Sequence, residues 1–188
     1  MTSGDLMAKK MKLIALISVL ITVILAVLYR KLQSDLILTL AITFGTISYH
    51  FIMRLLVGTV INRLLKNRVD YGKRWFRVHA FEERLYKNLK VKKWKGKIGA
   101  YDPGCFDSKI HSWDEIVQAM CQAELVHELI IVLSFLPVFA AIPFGSLQVF
   151  VVTSLLSACF DAMFVIIQRY NRPRILRLLQ ATERNRRL

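Results

Sequence analysis

Four long apolar stretches alternate with charged ones along the chain, and this alternation predicts four helices. Leu13 to Leu28 carries no charge and follows a short basic opening with Lys9, Lys10 and Lys12. It has the outline of a signal peptide, but Tyr29-Arg30-Lys31 stands where small residues would mark cleavage, so an uncleaved first helix is expected. Ser34-Asp35 is a natural cap for a second helix, Leu36 to Ile61. Ser112 and Glu115 have capping-box spacing and open a third, apolar as far as Ala140, with Pro137 and Pro143 bending or ending it. Leu147 to Ile167 makes the fourth, and Pro173 is placed to start a separate interfacial helix in the basic tail.

Leu36 to Ile61 is long enough to cross a hydrocarbon layer of about 30 Å with some tilt, and the long apolar blocks together are the membrane pattern. The expected fold is therefore all-α, an integral membrane four-helix bundle forming a single domain over residues 1–188, with spans at about 12–29, 36–61, 118–140 and 146–167. Between the second and third spans, residues 62–112 form a polar region. In it, Trp75 to Trp94 sets Val78, Phe81, Leu85 and Leu89 at helical spacing, the pattern of an amphipathic helix lying in the membrane surface. Gly96, Gly99, Pro103 and Gly104 mark a loop after it. Gly45 and Gly58 would permit close helix contact.

Charge adds a topology. The net charge of +14 falls at the N-terminus, in the central region and in the tail at 168–188, whereas Ala141 to Ser146 has none. The positive-inside rule then places both termini in the cytoplasm. Lys87, Lys90, Lys92, Lys93, Lys95 and Lys97 would attract anionic headgroups or a phosphate-bearing substrate. No nucleic-acid-binding fold is visible, so nucleic acid is not expected as a partner. Cys105, Cys121 and Cys159 have neither disulfide nor zinc-type spacing.

A few ionisable residues interrupt the apolar blocks, and such residues are functional candidates by default. His50 and Arg54 share one face of the second helix, Glu124 and His127 one face of the third, and Asp161 is the only charge in the fourth span. At about 1.5 Å per residue, Arg54, Glu124, His127 and Asp161 can occupy one layer in the inner leaflet, with His50 above it. Three readings are open. His127 is a general base oriented by Glu124 that deprotonates a hydroxyl attacking an activated acyl group, with Arg54 and Asp161 as polar supports. Alternatively, His50, Glu124, His127 and Asp161 ligate a metal; Glu-x-x-His is a di-iron spacing, but only one such motif is present and Arg54 would repel a cation. In the third reading these groups only hold helices together in a lipid-binding or assembly subunit.

The chain also resembles the glycosyl-4,4'-diaponeurosporenoate acyltransferases, small bacterial membrane proteins of staphyloxanthin-type carotenoid biosynthesis. The matching pieces are TISYHFIMRLLVG, FEERLYKNLKVKKWKGK, AELVHEL and IIQRYNRPR, in order from Thr46 to Arg174. The resemblance implies transfer of a fatty acyl group to a hydroxyl, that of a carotenoid glycoside in the family. The acceptor is expected to be glycosylated or lipid-linked, and membrane lipids are expected partners. The activated donor, acyl-CoA or acyl carrier protein, is a co-substrate, with no permanently bound cofactor and no metal. Arg169, Asn171 and Arg172 would form an interfacial donor-binding patch.

Overall fold

The computed structural model describes residues 3–99 and 102–187; Ala100 and Tyr101, inside the expected loop, and Met1 and Thr2 in the basic opening lie outside the described residues. Helix α1 is Ser3–Leu32, α2 is Asp35–Leu65, α3 is Ala80–Asn88 and α4 is Val91–Trp94. Helix α5 is Trp113–Leu133, α6 is Ala141–Phe144 and α7 is Leu147–Arg187. The fold is all-α, and four helices are long and apolar enough to cross a membrane. Leu13, Leu16, Leu20, Val23 and Ile24 of α1 are exposed, a pattern suited to lipid rather than water.

Ser112 caps α5 as its spacing predicts: its N–H donates to Glu115 Oε2 at 2.8 Å, and Glu115 N–H returns a bond to Ser112 Oγ at 3.3 Å. Helix α5 stops at Leu133, and a 3-10 turn, Leu136–Ala140, follows with Pro137 near its start. Gly145, at φ 68° and ψ −148°, makes the turn into α7 in a backbone region that only glycine occupies easily.

Three expectations are corrected. The tail does not begin a new helix at Pro173; α7 runs through it to Arg187. Proline there removes one backbone donor, and the helix continues around that gap. Trp75 to Trp94 is not one helix: a 3-10 turn at Arg74–Phe76, then α3, then α4, with Lys90 left-handed at φ 51° between the last two. Nor is Gly58 a contact point among the described residues, where nothing approaches within 4 Å of where its Cβ would be; Gly45 instead lies 3.5 Å from Thr22 Cγ2 by the same measure.

The chain divides into two compact units. One joins Asp5–Thr59 and Leu129–Asp161, and the other is chiefly Val60–Glu128 with Ala162–Leu188. In the first, Tyr49 donates to the carbonyl of Leu133 at 2.8 Å, and the hydroxyls of Ser134 and Ser157 meet at 3.0 Å. The second has a core of Val69, Phe76, Val117 and Cys121, against which Leu65, Tyr71, Leu125, Ile175 and Leu176 pack. The packed face of α3 is the one carrying Glu82 and Tyr86, while Phe81, Leu85 and Leu89 are exposed. That inverts the rule for a water-facing helix and suits an apolar face turned to the membrane surface.

Candidate functional site

The most elaborate polar arrangement lies in the unit built around Glu124. This carboxylate is fully buried and accepts from two arginines of α7: Arg169 Nη1 on Oε1 at 2.5 Å and Arg172 Nη1 on Oε2. Arg169 also donates to Glu82 of α3, through Nε at 2.8 Å and Nη2 at 2.7 Å, a bidentate pairing. Two carboxylates and two guanidiniums therefore balance in charge.

The same guanidiniums hold the segment before α3. Trp75 and Arg77 offer their carbonyls to Arg169 at 3.1 and 3.0 Å, and the carbonyl of Phe76 between them accepts from Arg172 at 2.5 Å. The 3-10 turn followed by extended Arg77 aims three successive carbonyls at two side chains. An arginine has five N–H donors, and these bonds occupy every one on Arg169. Arg172 is buried at 1% exposure, with Phe76 stacked against its guanidinium at 5.3 Å.

Glu82 also accepts from the hydroxyl of Tyr86 and, at 3.0 Å, from the backbone N–H of His79. Burial alone would raise its pKa, but Arg169, Tyr86 and the His79 N–H together bring it down to about 2. Burial and the Glu82 carboxylate push the Tyr86 phenol up. Tyr86 meets Tyr170 edge to face at 5.8 Å, and Lys95 lies 4.6 Å from the Tyr170 ring while donating to Asn171. Burial and the neighbouring Arg174 and Lys92 lower the Lys95 pKa.

Beside this network lies an open cleft of about 380 Å³ lined by Arg74, Trp75, His79, Glu128 and Arg169. The Trp75 indole N–H donates to Glu128 Oε2 at 2.8 Å. The His127 ring stacks on Phe164, with centroids 4.6 Å apart and planes 7° from parallel. In the other unit, Arg54 pairs with the buried Asp161, donates to Ser157 Oγ at 2.8 Å and lies 5.8 Å from the Phe160 ring. His50 is buried there, and neither ring nitrogen has a hydrogen-bond partner among the described residues.

The expected donor patch is thus corrected. Arg172 is buried and Arg169 has no donor left for a phosphate, because both compensate carboxylates; Asn171 takes Lys95. Spacing alone missed Glu82, Trp75 and His79. The available signal was Glu82 and Tyr86, four apart on a face of α3 about 100° round from Phe81 and Leu85. Among the described residues, no group of three or more His, Cys, Asp or Glu side chains is placed to hold a metal. Burial and Asp102 push the Cys105 thiol up, away from the nucleophilic thiolate.

Compared with known families, residues 72–181 match the family model described as glycosyl-4,4'-diaponeurosporenoate acyltransferase. The chain belongs to that family. It is accordingly an acyltransferase, and the family's role lies in carotenoid biosynthesis. The stretch matched to the glycosyl-4,4'-diaponeurosporenoate acyltransferases contains Glu82, Glu124, His127, Asp161, Arg169 and Arg172, while His50 and Arg54 precede it. Neither curated proteins nor solved structures gave a match.

Proposed function

We propose that this acyltransferase is a multi-pass membrane protein with both termini cytoplasmic, and that it moves a fatty acyl group from an acyl thioester onto a hydroxyl of a glycosylated or lipid-linked acceptor. The donor is acyl-CoA or acyl carrier protein. His127 takes the hydroxyl proton, the oxygen attacks the thioester carbonyl, the carbon–sulfur bond breaks, and the imidazolium returns the proton to the leaving thiolate. Glu124 is a positioning residue: anchored by Arg169 and Arg172, it fixes α5 one turn before His127. In the other unit, Arg54 and Asp161 act as a paired polar support, and the buried imidazole of His50 lies four residues before Arg54.

The observation that carries this reading is that the family match contains both His127 and the buried carboxylate three residues before it. Lipid mass spectrometry of cells expressing wild type, His127→Ala or no protein tests it. A species heavier by one fatty-acyl group is expected with wild type alone. Equal product from His127→Ala would remove His127 from the chemistry, and an unchanged lipid profile on expressing wild type would remove the transfer to a lipid acceptor.

A further inference from the structure

We propose that the cleft lined by Arg74, Trp75, His79 and Glu128, with Arg169 as its floor, binds the sugar ring of the acceptor. This rests on the acyl-transfer reading for the presence of a glycosylated acceptor, and on this structure for the place.

A sugar ring presents apolar C–H faces and a rim of hydroxyls. It is recognised by an aromatic plane together with a few fixed polar groups in a concave site. Trp75 supplies the plane. Its side chain belongs to a residue that is 62% exposed, yet its orientation is fixed by the indole bond to Glu128. Its backbone is held as well, since its carbonyl accepts from Arg169 and the next two carbonyls are also engaged by arginines. An exposed aromatic held at both backbone and side chain has little ordering entropy left to lose on binding.

The polar groups are equally prepared. A carboxylate offers about four acceptor positions, and the indole takes one of those on Glu128. His79 enters the cleft from the residue before α3, and its backbone N–H is fixed on Glu82 at 3.0 Å. Arg74 is exposed at the rim. Arg169 contributes surface rather than hydrogen bonds, because its donors are all occupied. Carboxylate, imidazole and guanidinium around one aromatic face suit neutral hydroxyls, which both accept and donate. A bare anion would meet Glu128.

The test uses the full chain in lipid nanodiscs with methyl β-D-glucoside, which lacks an acyl or polyene tail, as the probe. Saturation-transfer NMR of wild type should mark the sugar's ring C–H protons. Trp75→Ala and Glu128→Gln should each weaken binding by about tenfold, the scale of a lost stacking contact or charge-assisted hydrogen bond. Trp75→Phe, which keeps an aromatic plane, should retain part of the signal and guards against misfolding. An absence of sugar signal in wild type, or an equal signal in Trp75→Ala, would overturn the proposal. So would quenching by brominated lipids in a Trp94→Phe, Trp113→Phe variant, whose fluorescence comes from Trp75, without any sugar signal, which would make Trp75 a headgroup anchor. Sugar binding without acyl product in the lipid assay would leave this site standing and refute the acyl-transfer reading instead. Acyl product from wild type with no sugar binding would do the reverse.

Discussion

Replacing Glu124 by Gln preserves volume and removes one charge from a cluster of two carboxylates and two guanidiniums. Arg172, at 1% exposure, would then keep neutral partners alone among the described residues: the replacing amide oxygen, the Phe76 carbonyl and ring, and a long contact to Cys121 Sγ at 3.6 Å. Arg169 would retain Glu82. The change therefore strands one buried cation, not two, and removing one partner of a buried pair costs about 3–5 kcal/mol. For a chain of this size each kcal/mol lowers the melting temperature by about 2–4 °C, so a fall of roughly 6–20 °C is expected. The assay is thermal loss of helical circular dichroism in nanodiscs. The double variant Glu124→Gln, Arg172→Met removes both charges and leaves Glu82 with Arg169. It should recover most of the loss, to within about 1–2 kcal/mol of wild type, because charges in one network are not additive. A double variant as unstable as the sum of the two singles, or a single variant that melts like wild type, would refute the closed network.

Two further outcomes follow from residues outside the spans. Glu82 is held near 2 in the folded chain against its ordinary 4.5, so its stabilisation is complete above about pH 4.5 and is lost as pH falls through about 2; across that window Glu82→Gln should flatten the pH dependence of melting seen in wild type, and parallel curves would count against the Arg169 pairing. Gly145→Ala, forced onto φ 68° and ψ −148°, should cost about 1–3 kcal/mol in the same melt, whereas an unchanged melt would show that this turn adopts another backbone.

How far the sequence led depended on the range of the interaction. The four long helices and the Ser112–Glu115 cap follow from runs and spacings of a few residues, and a periodic reading finds those. Arg54 in an apolar run signalled a need for a carboxylate, and in the structure it pairs with Asp161, 107 positions away. The Glu124 network was only half legible. Glu124 stood out because it interrupts an apolar run, but Glu82 is hidden among lysines and arginines that the positive-inside rule already explains. Arg169 and Arg172 read as a basic surface patch for the same reason, since nothing local reveals that their partners lie 45 to 87 residues earlier. The apolar stripe of Phe81, Leu85 and Leu89 was legible, yet the informative residues are the buried Glu82 and Tyr86 beside it.

An arginine with every donor engaged leaves evolution little room for gradual repair. Exchange of Arg169 for lysine would keep the charge but lose the fork that reaches Glu82, Glu124 and two carbonyls at once. Exchange of either glutamate would leave a neighbour uncompensated. Glu82, Glu124, Arg169 and Arg172 are therefore expected to be inherited as a set, so that a descendant lacking one should carry matched changes at the others.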